Sequence, residues 1–158
     1  MSRSGIPESV VTGFNGSRVV IVASSWHTQI MDGLIAGASR IIQDAGITPE
    51  IHRVPGTFEL PIAANAAALA GADVVVALGV VIRGGTPHFD YVCSAATDGL
   101  TRAALDTGVP MGFGVLTCDD EAQALDRAGL AGSTEDKGAE AASAAMNTWT
   151  VLRTIHGD

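Results

Sequence analysis

Residues 72–91 read ADVVVALGVVIRGGTPHFDY, and this stretch decides the fold. Its first part, ADVVVALGVVI (72–82), is a long apolar run rich in β-branched side chains, which is typical of a strand that is buried on both faces. The following RGGTP (83–87) combines two glycines that break the strand with a threonine and a proline, which are typical of a helix start. A buried strand that leads directly into a helix predicts a parallel sheet covered by helices on both sides.

The same alternation of β-branched runs and alanine-rich segments continues in both directions along the chain, which predicts βαβ units throughout. The weakest of the predicted strands is the second. We predict strands over 18–24, 48–54, 72–82 and 110–117, and helices over 26–45, 58–70, 87–106, 119–128 and 134–155.

The chain has 158 residues, of which 47% are hydrophobic, and this is enough for one domain of ordinary size with its own core. Residues 1–17 are polar and contain glycine, so we predict an N-terminal arm over 1–17 and a single domain over 18–158. Within the arm, VVTGF (10–14) could form a short strand that the domain does not need. Because residues 1–17 lack the pattern of a signal peptide and no apolar run could span a membrane, we predict a soluble, cytoplasmic protein.

The charge of the chain argues against two classes of partner. Seventeen acidic and nine basic residues give a formal net charge of −8. A field of this sign repels nucleic acid and anionic membrane surfaces, so we predict no binding to either. A small molecule is the better candidate ligand.

Ligands of an open parallel sheet bind beyond the carboxyl ends of its strands, where helix N-termini converge. After the third strand, Gly84 and Gly85 let the backbone approach a ligand closely, Thr86 could cap the helix, and an anion could bind there. His88 falls in the first turn, where the helix dipole disfavours its protonated form, so it could shuttle a proton beside a phosphate. The alternative is a capped helix with a surface histidine, and for GGTPH in isolation this alternative is favoured.

The aromatic residues are few, yet four of the seven lie at or close to the predicted carboxyl edge. A planar heterocycle would suit such a cluster, although four residues do not exclude chance. Trp26, at a strand-to-helix junction, could stack on a ligand or fill the core. The four residues are Trp26, Phe58, Phe89 and Phe113.

Charged residues near this edge have simpler explanations when each is taken alone. Thr57 could cap the helix that follows it, and Glu59 in the first turn is favoured there by the helix dipole in any case. Arg127 ends a helix, where a cation is expected. Lys137, the only lysine, lies at a helix start, where a cation is not expected. If Arg127 and Lys137 reach the same cleft, they supply a positive patch for an anionic substrate.

Several of these motifs, taken in order, resemble the 6,7-dimethyl-8-ribityllumazine synthase family from about residue 18 to 155. Their number and spacing make the resemblance more specific than any single motif, and it outweighs the simpler explanations given above. The motifs are VIVASSWH (20–27), PGTFELP (55–61), ALGVVIRGGTPHFDYV (77–92), FGVLT (113–117), EAQALDRAG (121–129) and EDKG (135–138).

The resemblance implies a role for residues at each loop. A pyrimidine substrate, 5-amino-6-(ribitylamino)uracil, would stack on Trp26, and its ring edge would meet backbone groups of Val80, Val81 and Ile82. The ribityl chain would meet Thr57, Phe58 and Glu59, with Lys137 nearby. The second substrate, 3,4-dihydroxy-2-butanone 4-phosphate, would place its phosphate at Gly84, Gly85, Thr86 and Arg127. His88 would shuttle protons, and Phe113 would close the site from a neighbouring subunit.

One departure from the family pattern is Gly85, where the family often has a side chain such as glutamine or alanine. A backbone site for the phosphate survives this change. The resemblance implies neither a cofactor nor a metal, because phosphate is already a good leaving group.

The resemblance also implies a fold and an assembly. The fold is a flavodoxin-like α/β/α sandwich with a four-stranded parallel sheet, and the assembly is a homopentamer with active sites between subunits. VVTGF (10–14) would add a strand to the sheet edge of a neighbour. The link RAGLAGSTEDKG (127–138) is longer than in members that build 60-subunit shells, so we predict a free pentamer. Riboflavin synthase is a possible partner in the same biosynthetic route.

Three other functions remain as alternatives to this interpretation. One is a different flavodoxin-like enzyme acting on a phosphosugar or nucleotide, and another is a structural shell protein. The third is a flavin- or lumazine-binding protein without activity. The presence of His88, Arg127 and Lys137 together argues against this third alternative.

Overall fold

The computed structural model describes residues 13–157 and contains one four-stranded sheet with the strand order β2-β1-β3-β4, in which every neighbouring pair is parallel. Every strand and helix expected from the sequence is present, with ends that differ by a few residues. In chain order the elements are β1 (Val19–Ser24), α1 (Thr28–Asp44), β2 (Glu50–Val54), a 3₁₀ turn (Thr57–Glu59), α2 (Leu60–Leu69), β3 (Val74–Ile82), α3 (His88–Thr107), β4 (Met111–Cys118), α4 (Glu121–Asp126) and α5 (Lys137–His156).

The two central strands, β1 and β3, are buried on both faces, as their apolar sequences predict. Successive side chains of β1 alternate between two separate parts of the core. Ile21 packs with residues of α1, α4 and α5, whereas Val20 and Val22 pack with residues of α2 and α3. This alternation gives a helical layer on each side of the sheet. The three-layer α/β/α, flavodoxin-like architecture expected from the sequence is therefore confirmed.

The outer strands differ from the central ones. In β2, four of the five side chains are exposed, including Ile51 at 46% exposure. The start of this strand is held by Arg18, whose guanidinium donates to both carboxylate oxygens of Glu50, at 2.8 and 2.9 Å. At the other edge, β4 exposes Phe113, which is 47% accessible. Both sheet edges therefore carry apolar side chains that solvent can reach in a single chain.

Helix α5 packs unusually close to its neighbours because of two glycines, one in α5 itself and one in the strand that it covers. A Cβ atom added to Gly138, in the first turn of α5, would lie 2.0 Å from the backbone oxygen of Leu34 in α1. One added to Gly112 in β4 would lie 2.4 Å from the backbone oxygen of Ala141 in α5. The position of α5, and with it that of Lys137, is therefore fixed by backbone contacts on two sides.

Strand β3 is longer than β1 at its carboxyl end. The last residue of β3 that pairs with β1 is Leu78, opposite Ala23, whereas the pairing with β4 continues to Ile82. Residues 79–82 therefore form a ledge, paired with β4 on one side only. This ledge lies next to the loops that the sequence predicts to bind a ligand.

Part of the predicted N-terminal strand, residues 10–12, lies outside the described residues. Phe14 is buried at 1% exposure, and its ring lies 4.5 Å from that of Trp149, measured between centroids. This end of the arm therefore packs against the core of its own chain. Among residues 13–157, every helix is too short or too polar to serve as a membrane span.

Candidate active site

The indole of Trp26 is 70% exposed, two residues beyond the end of β1, so the alternative that it fills the core is wrong. The junction around it is well fixed. The Ser25 hydroxyl donates to the carbonyl of Val54 at the end of β2, at 2.8 Å. His27, which precedes α1, has a left-handed backbone with φ of 57°. A large aromatic face is thus held at the carboxyl end of the sheet in contact with solvent.

The 3₁₀ turn after β2 has three residues, which differ in their burial and in their hydrogen bonds. Thr57 is buried, and its hydroxyl donates to the carbonyl of Val80 in β3 at 3.2 Å. The expectation that Thr57 caps the following helix is therefore wrong, because the cap position of α2 is Glu59. Phe58 is 63% exposed. Glu59 accepts a hydrogen bond from the backbone N–H of Gly56 at 2.8 Å, so its role at the start of the turn, expected from the sequence, is confirmed.

Val80, Val81 and Ile82 lie on the ledge formed by residues 79–82. On one side they pair with β4, Val80 opposite Leu116. On the other side they lie beyond the last pairing with β1. Apart from the Val80 carbonyl, which accepts from Thr57, their main-chain groups on that side are not engaged by a strand and face the region that follows β1.

The loop after β3 is open. A Cβ atom added to Gly84 or Gly85 would have no other atom within 4 Å. Helix α3 begins at His88, with Pro87 in the cap position, and within the described chain no side chain caps it. The expectation that Thr86 caps the helix is therefore wrong, because the helix starts one residue later than predicted. The first N–H groups of α3 are consequently free of a side-chain cap, and His88 lies exposed beside them.

Arg83 was not identified from the sequence as a site residue, yet it organises this loop. Its guanidinium lies 4.2 Å from the centroid of the Phe89 ring, 3.0 Å from an oxygen of Asp119 and 3.4 Å from an oxygen of Asp90. The hydrogen bond to Asp119 is the main reason that the pKa of Arg83 is raised. Arg83 thereby connects the end of β3 with the first turn of α3 and with the residue after β4, so it fixes both ends of the glycine loop.

A second group of predicted residues lies elsewhere. Phe113, Arg127 and Lys137 line one open cavity of about 530 Å³, which lies between β4 and the first turns of α5 and is called the β4 cavity below. Thr117 and Cys118 also line it. The condition that the sequence left open, that Arg127 and Lys137 reach the same cleft, is therefore met.

The expectation that these two cations form a positive patch is wrong, because both are already paired with carboxylates. The ammonium of Lys137 contacts Glu135 and lies 2.7 Å from an oxygen of Glu140. The guanidinium of Arg127 lies 4.0 Å from Glu135 and 3.9 Å from Asp126. Arg127 also donates to the carbonyl of Gln123 at 2.9 Å, which confirms its expected role at a helix end.

The predicted site residues therefore fall into two groups. The first, the carboxyl-edge group, lies at the carboxyl end of β3 or in the segments that follow β1, β2 and β3, and none of its members lines the β4 cavity. The second consists of the three residues in that cavity. The carboxyl-edge group comprises Trp26, Thr57, Phe58, Glu59, Val80, Val81, Ile82, Gly84, Gly85, Thr86 and His88.

Besides Arg83, sequence reasoning missed Glu135, which contacts both cations of the β4 cavity. A signal for Arg83 was available, since it ends one strand while Asp119 follows the neighbouring strand, and the carboxyl ends of parallel strands meet at one edge. A signal for Glu135 was its position two residues before the only lysine.

Comparisons with known proteins agree with the motifs. The sequence profile of 6,7-dimethyl-8-ribityllumazine synthase matches residues 16–153. Proteins of that name are 65% identical in Leifsonia xyli subsp. xyli, over 99% of this chain and 100% of the relative, and 63% identical in Kineococcus radiotolerans, over 98% and 96%. In Streptomyces coelicolor the identity is 56%, over 98% of this chain and 97% of the relative. The match extends over nearly the whole chain, and the chain belongs to the 6,7-dimethyl-8-ribityllumazine synthase family.

Proposed function

We propose that this protein is an enzyme that condenses 5-amino-6-(D-ribitylamino)uracil with 3,4-dihydroxy-2-butanone 4-phosphate. The products are 6,7-dimethyl-8-ribityllumazine, phosphate and water, in the penultimate step of riboflavin biosynthesis. The observation that carries this proposal is the near full-length identity, as high as 65%, to proteins named for this synthase. The protein requires no cofactor or metal for this reaction, because phosphate is a good leaving group.

The carboxyl-edge group supplies the site for the pyrimidine. Its ring stacks on Trp26, whose 70% exposure leaves one face available, and its edge meets main-chain groups of Val80, Val81 and Ile82 on the ledge. The ribityl chain meets Thr57, Phe58 and Glu59, with Lys137 nearby. The fixed backbone of this region supports the role, since a ligand held by main-chain groups needs a rigid edge.

The phosphate of the second substrate binds at Gly84, Gly85 and Thr86. Support comes from the open loop and from the uncapped first turn of α3, because free N–H groups at a helix N-terminus favour an anion. Arg127 completes this site with a charge-assisted contact. His88, in the same first turn, moves protons between the reacting groups.

The chemistry needs positioning more than it needs strong acids or bases. The 5-amino nitrogen forms a C=N bond with the ketone and releases water. A proton then leaves the adjacent carbon as phosphate departs with its C–O bonding electrons, and the resulting enol tautomerises to a ketone. Attack of the ribityl-bearing nitrogen on this ketone closes the second ring and releases another water. Holding the two substrates in reacting geometry can lower the barrier by about 7–11 kcal/mol. Proton transfer by His88 contributes a smaller factor, about 10²–10⁴.

The assembly we propose is a homopentamer in which the two groups of site residues come from adjoining subunits. Within one chain, the β4 cavity with Phe113, Arg127 and Lys137 is lined by none of the carboxyl-edge group. The exposure of Phe113 and of Leu105 in α3, at 47% and 78%, supports a contact surface at this edge of the sheet. A neighbour docked there brings its carboxyl-edge group to this cavity.

The remaining parts of the proposal concern the ends of the chain and its surroundings. Residues 18–158 form the synthase domain, and residues 1–17 form an arm. Its segment VVTGF (10–14) adds a strand to the sheet of a neighbour, while the Phe14 side chain stays packed against its own chain. The enzyme works in the cytoplasm on small-molecule substrates, with riboflavin synthase as a partner in the route. It binds neither nucleic acid nor membranes, in keeping with its net charge of −8.

The test is to mix the purified protein with both substrates and to follow the fluorescence of 6,7-dimethyl-8-ribityllumazine. We expect formation well above the uncatalysed background. A rate equal to the background, together with tight binding of added lumazine, would instead identify a binding protein without activity. Use of another phosphosugar in preference to the butanone phosphate would identify a different enzyme.

A further inference from the structure

Glu135 lies between the two cations of the β4 cavity. One of its carboxylate oxygens contacts the ammonium of Lys137, and the other lies 4.0 Å from the guanidinium of Arg127. The other carboxylates near these cations are arranged differently. Glu140 pairs with Lys137, and Asp126 lies 3.9 Å from Arg127. Glu135 thus bridges two groups that the proposed function assigns to substrate binding.

Because this cluster is largely buried, its charges interact more strongly than charges in water would. The side chains of Glu135 and Lys137 are only 15% and 18% exposed. The hydrogen bond from Lys137 lowers the pKa of Glu135, so the carboxylate is ionised at neutral pH. Two positive and three negative side chains leave the cluster with one net negative charge. An incoming phosphate therefore meets an occupied, slightly negative site and not a free pair of cations.

The two contacts of Glu135 differ in strength. Its contact with Lys137 is close, and Lys137 is held by Glu140 as well. Its contact with Arg127 lies at the outer limit of an ion pair, and the Arg127 side chain is 36% exposed. Arg127 is consequently the cation that can change partners, whereas Lys137 stays in place.

We propose that Glu135 is a positioning residue for the phosphorylated substrate, because its carboxylate is the internal counter-anion that a phosphate must displace from Arg127. This inference rests on the proposed function. Inorganic phosphate and the butanone phosphate bear the same cost of this competition, because each must displace the carboxylate from Arg127. The butanone phosphate makes additional contacts through its carbon chain. Glu135 thereby leaves inorganic phosphate, which binds through its charge alone, weakly bound, whereas the additional contacts of the substrate offset the same cost.

The test uses the assembled, full-length protein and inorganic phosphate as the probe. Glu135→Gln keeps the shape of the side chain and removes its charge. We expect inorganic phosphate to inhibit this variant at least about tenfold more strongly, in competition with the butanone phosphate, since a charge at about 4 Å near a protein surface is worth more than this factor even at an effective dielectric constant of about 20. Phosphate binding measured by calorimetry should tighten by the same factor. Tighter binding is a gain that a merely damaged site does not produce.

Glu140→Gln is the matched control, because it removes the same charge from Lys137 and leaves the contact with Arg127 intact. We expect its phosphate affinity to change by a smaller factor. If Glu135→Gln fails to assemble, Glu135→Asp keeps the charge and retracts it by one methylene group. Phosphate affinity of this variant should lie between those of the wild type and of a fully neutralised site.

The outcomes separate this inference from the proposed function. Lumazine formation by the wild type, with phosphate affinity unchanged or weakened in Glu135→Gln, would overturn the inference and leave the proposed function standing. Equal tightening in Glu135→Gln and Glu140→Gln would also overturn it, since the effect would then belong to Lys137. Absence of lumazine formation by the wild type would end the proposed function, and calorimetry with inorganic phosphate would still show whether Glu135 competes with phosphate for Arg127.

Discussion

Replacing Gly138 by alanine should test how closely α5 packs against α1. The added Cβ would lie 2.0 Å from the backbone oxygen of Leu34 and 2.7 Å from its carbonyl carbon, and ordinary contact begins at 3.4 Å. Because these are backbone atoms, no rotation of a side chain can relieve the overlap. The first turn of α5 must move away from α1 by more than 1 Å, as the difference between 3.4 and 2.0 Å requires.

The expected cost follows from general values for overpacked cores. Extra methyl groups cost about 1–3 kcal/mol, and a backbone clash belongs at the upper end, about 3 kcal/mol. Alanine is favoured over glycine in a helix by up to about 1 kcal/mol, which leaves a net loss of about 2 kcal/mol. For a chain of this length, about 2–4 °C per kcal/mol gives a Tm about 4–8 °C lower. Lumazine formation should fall too, because Lys137 immediately precedes the displaced residue.

The assay is thermal unfolding followed by circular dichroism, with wild type and variant at the same protein concentration, because Tm depends on concentration in an oligomer. Gly85→Ala is the matched control. It makes the same chemical change where no atom lies within 4 Å, so its Tm should stay within about 2 °C of the wild type. A Tm for Gly138→Ala as high as that of the control would refute the close approach of the two helices.

Three further predictions concern catalysis, pH and assembly. His88→Ala should slow lumazine formation by about 10²–10⁴-fold at most and leave measurable turnover. Arg127→Ala should mainly raise KM for the butanone phosphate. Steady-state kinetics with the opposite ranking of the two variants would contradict the mechanism. The hydrogen bond from Arg18 lowers the pKa of Glu50 from 4.5 to about 2, so this pair stabilises the fold above pH 4.5 and the stabilisation is lost as the pH falls toward 2. Glu50→Gln should therefore show a smaller fall in Tm over that range, and an equal fall would exclude the pair as a cause. Light scattering should report a pentamer, and a 60-subunit particle would contradict the interpretation of the link before Lys137.

The fold could be predicted from the sequence because its central strands carry an unambiguous pattern. The apolar run of β3 places apolar side chains on both faces of the strand, so both faces must be buried. Strand β2 was the weakest prediction for the opposite reason, since most of its side chains are exposed at the edge of the sheet. The position of Glu50 in this strand is fixed by an ion pair with Arg18, which is distant in sequence. Local pattern carries little information about an edge strand of this kind.

The sequence was enough to predict which residues belong to the candidate site, but not how their side chains are arranged. Sequence reasoning identified Arg127 and Lys137, because each is unusual or well placed within its own helix, but it left open whether they share a cleft. It could not show that Glu135 neutralises them, since ion pairing depends on side-chain packing around the link between α4 and α5. Likewise, the cap predicted at Thr86 failed because Thr and Pro in succession fit two registers of a helix start, and only the packed chain selects one.

The ledge at residues 79–82 has a consequence for attempts to redesign this protein. Under the proposed function, contacts of the pyrimidine with this ledge come from the peptide chain itself, so exchanging the side chains of Val80, Val81 or Ile82 does not delete them. Under the proposed function, recognition of the pyrimidine edge is then insensitive to most point mutations. A new heterocycle would have to be accommodated by lengthening β1 or shortening β3, which is a change in the backbone and demands insertions or deletions.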